Sequence, residues 1–168
     1  SSDVCSSDLS PILLHPRSNI AAILTMALVE KSVLIERTPA QMFELVDRVE
    51  DYPQFLPWCG GAEVIDRTLT RTAATLHINY HGIKSHFSTD NVKEAPHVMH
   101  ITLTDGPLKH MDGQWRFLPL GETACKIEFR LHYEFSNRLL EKVLGSVFSH
   151  ITETFVESFV KQAQKVYG

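Results

Sequence analysis

Residues 125–168 read CKIEFRLHYEFSNRLLEKVLGSVFSHITETFVESFVKQAQKVYG and contain the clearest periodic patterns of the chain. Its first part, residues 125–135, alternates apolar and polar side chains without a break. That alternation predicts a long β-strand with one buried face and one face in water. From Ser136 onward the apolar residues recur every three or four positions, which is typical of an amphipathic helix.

A single long helix is therefore predicted after this strand. Ser136 and Asn137 supply an N-cap, and apolar residues continue at helical spacing to about Val166. At ~1.5 Å per residue, such a helix is long enough to cross a whole sheet. Its predicted apolar stripe consists of Leu140, Val143, Leu144, Val147, Phe148, Ile151, Phe155, Phe159 and Val166.

The chain before residue 125 predicts a strand, a short helical region and further strands. The first strand spans Leu28 to Ile35, and Thr38 can cap a helix that starts at Pro39. Pro53 disfavours helical backbone at the residue before it. The later strands are separated by turn-forming residues at 81–82, 95–96, 105–107 and 120–122. Strands joined by short turns imply an antiparallel meander, so we predict an α+β fold in which about seven strands curve around the C-terminal helix.

Length and composition are those of one ordinary domain, since the chain has 168 residues, 43% hydrophobic and 21% charged. Its formal charge of −4 lacks the electrostatic footprint of a DNA-binding protein, although a local basic patch for RNA stays open. No apolar run approaches the ~20 residues of a membrane span. The three cysteines form no CxxC pair, which favours a reducing, cytoplasmic compartment.

Residues 1–25 differ from the rest of the chain. They contain the near-duplication SSDVCSSDL and lack both sustained periodicity and the pattern of a signal peptide. The string resembles translated sequencing-adapter sequence. We expect a non-native or disordered leader here, with a genuine N-terminal extension as the alternative, and a single domain at 26–168.

Four motifs resemble one known family: DYPQFLPWC at 51–59, DGPLK at 105–109, WRF at 115–117 and KVLGSVF at 142–148. The chain is similar, from Met26 to Gly168, to the coenzyme Q-binding START-domain family of the polyketide cyclase/START-like superfamily. The resemblance implies a helix-grip fold, an internal cavity that binds ubiquinone or another isoprenoid lipid, a role in respiration, and no required cofactor. Bacterial members are ribosome association toxins, so it equally implies binding to the large ribosomal subunit and a block of subunit association. Fold alone does not decide between these functions.

The candidate ligand-binding residues follow from the apolar faces and from this resemblance. Residues 52–58 hold three aromatics and two prolines, which makes a stiff apolar segment that either gates the cavity or packs as a buried corner. The predicted wall or gate comprises Tyr52, Phe55, Leu56, Trp58, Leu76, Ile78, Met99, Ile101, Trp115, Phe117, Leu144, Val147, Phe148, Ile151 and Phe155. Each of these is also a candidate for plain core.

The loop at 105–109 is a candidate cavity rim. Pro107 and Lys109 are placed there, where Lys109 would meet a quinone carbonyl or an anionic lipid headgroup during transient contact with a membrane surface. The alternative is a simple turn between strands. Peripheral contact with the inner membrane is the alternative to a purely cytoplasmic location.

Catalytic and metal sites find little support in the sequence. His77, His81 and His86 lie close together, but no zinc-binding spacing appears, so a wet strand face is the favoured interpretation. No nucleophile elbow, phosphate loop or dinucleotide fingerprint is present. An aromatase/cyclase-like enzyme stays a third alternative, for which Glu63, Asp66 and His100 are the candidate acids or bases. Ribosome binding would instead need cations that cluster in the fold, from Lys31, Arg37, Arg48, Lys84, Lys93, Lys109, Arg116 and Lys126.

Overall fold

The computed structural model describes residues 26–168, so the expectation for residues 1–25 lies outside the described residues. It contains seven strands and three α-helices in the described part, with a 3₁₀ turn at Val49–Asp51. In chain order these are β1 (Met26–Ile35), α1 (Pro39–Asp47), α2 (Tyr52–Phe55), β2 (Cys59–Arg67), β3 (Arg71–Tyr80), β4 (Ile83–Glu94), β5 (Val98–Asp105), β6 (Leu108–Leu120), β7 (Ala124–Phe135) and α3 (Arg138–Tyr167).

All seven strands form one antiparallel sheet in the order β1-β7-β6-β5-β4-β3-β2. Strands β2 to β7 are a continuous meander, and β1 closes the far edge by pairing along β7 from Met26↔Glu134 to Ile35↔Cys125. Register shifts place an extra residue in β2, β5 and β6, and such bulges bend the strands that carry them. The α+β helix-grip fold predicted from the sequence is confirmed.

Helix α3 lies against the concave face of the sheet and begins where the sequence predicts. Asn137 Oδ1 accepts a hydrogen bond from the backbone N–H of Leu140 at 2.9 Å. The predicted stripe is wrong at its margins, because Val143 and Val166 are both 51% exposed. Buried residues of α3, such as Leu144 and Thr152, are spaced by multiples of four residues. Because the helix has 3.6 residues per turn, each interval of four residues turns the buried face by ~40° around the helix axis. The face therefore rotates away from both valines.

The start of the domain contains a confirmed cap and a corrected helix. Thr38 and Gln41 form a capping box at the first turn of α1. Tyr52, for which Pro53 disfavours a helical backbone, is nevertheless helical (φ −54, ψ −41) and opens α2. Its buried ring and its hydroxyl, which donates to the carbonyl of Val46, hold this conformation, so tertiary packing outweighs the local preference.

Candidate functional site

A cavity of about 70 Å³ lies between the concave sheet face, the α1–α2 corner and the middle of α3. Its wall is formed almost entirely by apolar and aromatic side chains. The lining residues are Val46, Val49, Tyr52, Trp58, Leu76, Phe87, Thr89, Asn91, Met99, Ile101, Met111, Trp115, Phe129, Leu131, Ile151, Thr152 and Phe155. An apolar space of this kind suits the apolar part of a ligand.

The predicted ligand-binding residues divide into two groups in the structure. Those in the cavity wall are Tyr52, Trp58, Leu76, Met99, Ile101, Trp115, Ile151 and Phe155. Those that belong to the surrounding core are Phe55, Leu56, Ile78, Phe117, Leu144, Val147 and Phe148. The segment 52–58 thus acts partly as cavity wall and partly as a packed corner, and ligand contact stays a prediction for every residue of both groups.

Aromatic rings fill most of the space around the cavity. Trp115 is central, with its ring centroid 4.6 Å from that of Phe129, 5.6 Å from that of Phe155 and 5.4 Å from that of Phe159. Tyr52 packs its ring edge-on against Phe159 at 5.2 Å, and burial raises the pKa of its phenol. These contacts fix α2 against α3 and close the cavity on that side.

Strand β4 turns polar side chains toward the interior, which the sequence analysis missed. Thr89, Asn91 and Lys93 are all buried on the same face as Phe87. Lys93 Nζ lies 3.2 Å from Asp47 Oδ2, and the hydroxyl of Thr72 donates to Asp47 Oδ1 at 3.0 Å. This ion pair ties the end of α1 to the sheet beside the cavity.

Two polar atoms in the cavity wall have no hydrogen-bond partner within residues 26–168. They are the indole Nε1 of Trp58 and the side-chain oxygen Oδ1 of Asn91, both fully buried. Buried polar atoms in native proteins are almost always paired, so each unpaired one calls for an explanation. The remaining wall residues that the sequence analysis did not predict are Val46, Val49, Phe87, Thr89, Met111, Phe129, Leu131 and Thr152.

The predicted rim residues lie away from the cavity wall. Lys109 belongs to β6 and not to a loop, its side chain is exposed, and its ammonium lies 3.9 Å from Glu134 Oε1. The carbonyl of Pro107 accepts hydrogen bonds from the backbone N–H and the hydroxyl of Ser136. This loop therefore braces the start of α3, and a ligand contact by Pro107 or Lys109 remains a prediction.

A groove on the outer sheet face gathers several charged side chains. Arg116 and Arg130 project into it together with Glu30 and Glu128, and Arg130 Nε lies 3.6 Å from Glu30 Oε1. Lys126 follows on the outer face of β7, in register with Leu118 of β6. We call this region, defined by Arg116, Lys126 and Arg130, the basic groove. Lys31 is paired with Phe129, whose side chain is buried, so Lys31 projects from the opposite face of the sheet.

Other candidate cations are separated from the basic groove or engaged elsewhere. Arg48 forms an ion pair with Asp51 at 2.8 Å, and Lys93 is buried beside Asp47. Lys84 is exposed at the start of β4, which is separated from β6 by β5 in the sheet. The fold thus gathers only part of the predicted set into one surface.

Comparison with known proteins now decides the family. The family model described as "Polyketide cyclase / dehydrase and lipid transport" matches residues 35–160. The chain belongs to the polyketide cyclase/dehydrase and lipid transport family. Within this family, the chain is 38% identical over 143 residues to the ribosome association toxin RatA of Vibrio cholerae. The matched region covers 85% of this chain and 99% of that protein.

Two more distant proteins also resemble the chain, one in sequence and one in fold. The coenzyme Q-binding protein COQ10 homolog B of Xenopus laevis is 27% identical and covers 76% of this chain and 54% of that protein. The solved structure of the Zhui aromatase/cyclase of Streptomyces sp. R1128 superposes with a TM-score of 0.75 at 14% identity, covering 85% of this chain and 96% of that one. The last likeness shows a shared fold. The family resemblance drawn from the sequence motifs is confirmed.

Acid–base groups of this family member do not converge on the cavity. Glu63 and Asp66 are on β2, and their side chains, like that of His100, are outside the cavity wall and exposed to solvent. Burial raises the pKa of the Cys59 thiol, which favours the unreactive thiol form at neutral pH. In the described part of the cavity wall, the Tyr52 phenol is therefore the only acid–base group that could serve a cyclase-like reaction.

His77 and His86 lie on the solvent-exposed face of the sheet. The β3–β4 hairpin turns at His81 and Gly82, and its register places His77 opposite His86 with ring centroids 6.2 Å apart. In residues 26–168, no group of three or more His, Cys, Asp or Glu side chains is arranged to hold a metal ion. No helix in the same range is long and apolar enough to cross a membrane.

Proposed function

We propose that this protein associates with ribosomes, binding the large subunit and blocking its union with the small one. The observation that carries the proposal is the 38% identity to the ribosome association toxin RatA, which extends over 99% of that protein. A sequence similarity of this extent supports a common partner better than a structural likeness alone does.

The basic groove is the surface that we propose for ribosomal RNA. Its three cations project from β6 and β7, neighbouring strands of one sheet. Arg116 is the central cation, since its register partner Glu128 lies between Lys126 and Arg130 along β7. Double-stranded RNA is recognised mainly through phosphates and 2′-hydroxyls, to which Lys and Arg side chains bind without reading sequence.

Charge reversal in the basic groove tests this proposal. We expect Arg116→Glu to weaken binding to large subunits about tenfold and to lower the slope of log affinity against log salt by about one or more, because a phosphate contact is lost. Lys84→Glu changes net charge equally but lies away from the groove, so its binding should match that of the wild type. Co-sedimentation with purified large subunits over a salt series measures both variants. Recovery in the pellet that is the same with and without ribosomes would end the proposal.

Lipid binding is a second candidate function, favoured by the apolar cavity. The coenzyme Q-binding relative supports a quinone or another isoprenoid lipid as ligand, collected by transient contact with a membrane surface and held without chemistry. The cavity of about 70 Å³ is much smaller than the ~300 Å³ of a typical ligand pocket, so an isoprenoid tail would require the wall to open. For this reason lipid binding comes second. Organic extraction of gently purified protein tests it: bound quinone supports the candidate, and repeated absence of any lipid counts against it.

A further inference from the structure

We propose that His100 and His132 extend the RNA-binding surface beside the basic groove, and that protonation of these two histidines strengthens ribosome binding as the pH falls from about 8 to about 6. The inference rests on the proposed association with ribosomes. It adds two residues to that surface and a control of its affinity by pH.

Both histidines lie next to Arg130 on the outer face of the sheet. His100 of β5 is in register with Gln114 of β6, which is in turn in register with Arg130 of β7. His132 follows Arg130 by two residues along β7, and side chains two residues apart in a strand project from the same face. A depression in this face is lined by His100, Thr102, Asp112, Gln114, Arg130 and His132. Because neighbouring strands are only ~4.8 Å apart, one segment of RNA can contact this depression and the basic groove together.

Fixed charges alone give this part of the outer face no excess of positive charge. Arg130 Nε lies 3.6 Å from Glu30 Oε1, and Arg116 is in register with Glu128. The cations at this surface are Lys109, Arg116, Lys126 and Arg130, and the carboxylates are Glu30, Asp112, Glu128 and Glu134. Since RNA binding depends on the neutralisation of phosphates by cations, the surface needs additional positive charge to bind tightly.

Histidine can supply this charge, because an imidazole ordinarily changes its charge between pH 5 and 8. Asp112 lies between two imidazoles, with its Oδ2 2.7 Å from His110 Nε2 and its Oδ1 3.8 Å from His132 Nδ1. When both imidazoles are protonated, they outnumber this carboxylate, and the surface gains a net positive charge. Protonation and phosphate binding then favour each other, as thermodynamic linkage requires.

Neighbouring strands do not reverse the sign of this effect. The carboxylates of β4 that flank the register partner of His100 are those of Asp90, which pairs with Arg71, and of Glu94. The charged side chain that β1 contributes to this part of the face is that of Glu30. Carboxylates and guanidinium groups ordinarily keep their charge between about pH 6 and pH 8. The histidines therefore change the charge of this surface in that range.

Binding to purified large subunits at about pH 6, 7 and 8 and constant ionic strength tests the inference. We expect the affinity of the wild type to rise at least about tenfold from pH 8 to pH 6, because each added positive charge strengthens the contact with phosphates. The double variant His100→Gln with His132→Gln cannot gain these charges. At pH 6 it should bind about as weakly as it does at pH 8.

Two further variants show that the effect belongs to charge at these two positions. His77→Gln with His86→Gln is the matched control, because these histidines lie on the same face but on β3 and β4, and it should keep the wild-type response. His100→Lys with His132→Lys carries positive charge throughout this pH range. We expect it to bind at pH 8 about as tightly as the wild type binds at pH 6, a gain that misfolding cannot produce.

Each outcome has a distinct meaning. Equal affinity of the wild type at pH 6 and pH 8 would overturn the control by pH and leave the ribosome association standing. Absence of binding at all three pH values would overturn the ribosome association together with this inference. Loss of the response in the control variant of His77 and His86 would assign it to the overall charge of the protein and contradict the role of His100 and His132.

Discussion

Asp47→Ala is expected to destabilise the domain by about 3–5 kcal/mol, because it leaves a buried ammonium without its partner. The Lys93 side chain is only 4% exposed and lies 3.2 Å from Asp47 Oδ2. The same substitution also removes the acceptor of the Thr72 hydroxyl. Urea unfolding at an unchanged slope against denaturant measures the loss of free energy of unfolding.

A double variant shows whether the buried charge causes the loss. Asp47→Ala combined with Lys93→Met removes both charges, and we expect it to recover most of the stability, since an apolar replacement of a buried pair is often neutral. Asp90→Ala is the control, because Asp90 pairs with Arg71 at the exposed surface and such pairs contribute about 1 kcal/mol or less. Equal losses for Asp47→Ala and Asp90→Ala would contradict the account of β4.

Phe159→Ala is the second substitution with a large expected effect, about 3–5 kcal/mol of destabilisation. Phe159 is fully buried, and its ring centroid lies 5.2 Å from those of Tyr52 and Phe55 and 5.1 Å from that of Phe155. It joins α3 to α2, so the void left by its ring should also loosen the α2 corner that closes the cavity.

Thermal unfolding and hydrogen exchange measure these two effects of Phe159→Ala. We expect a lower melting temperature and faster exchange of the backbone N–H of Leu56, which donates to the carbonyl of Tyr52 at 2.9 Å. Leu139→Ala is the control on the same helix, because Leu139 is 70% exposed. An effect of Phe159→Ala no larger than that of Leu139→Ala would mean that the corner is not held by this ring.

Periodic patterns made most of the fold predictable from the sequence. The alternation at 125–135 marks the inner face of β7, and the buried residues Ile127, Phe129 and Leu131 follow it directly. The caps at Thr38 and Asn137 are local and depend on neighbouring residues only, so their hydrogen bonds appear as expected. Where one strand face or one helix turn carries the information, sequence reasoning succeeds.

Long-range pairing explains most of what the sequence did not reveal. The inner face of β4 is polar, so hydrophobic alternation cannot mark it. Lys93 becomes acceptable in the interior only because Asp47, far away in sequence, meets it. Asn91 likewise joins Trp58 in one wall only after the sheet has formed. Lys109 was placed in a loop because the apolar pattern around Trp115 does not extend back to it. In the structure, β6 begins before this pattern, at Leu108.

Cavity size depends on how side chains pack, and a residue pattern does not specify it. Some predicted wall residues, such as Phe148 and Phe117, do not line the cavity. They are buried in the same core and occupy interior volume with their own side chains. This filling leaves about 70 Å³, which is why we place ribosome association before lipid binding in our proposal. The family resemblance implies both functions.

Subunit reassociation is the most direct test of the proposed ribosome association. Purified small and large subunits are mixed with a molar excess of this protein, Mg²⁺ is raised, and the fraction of joined ribosomes is followed by light scattering and sucrose gradients. We expect a strong loss of joined ribosomes with wild-type protein, a weak effect of Arg116→Glu, and a wild-type effect of Lys84→Glu. An undiminished yield of joined ribosomes in the presence of excess wild-type protein would contradict the proposed ribosome association.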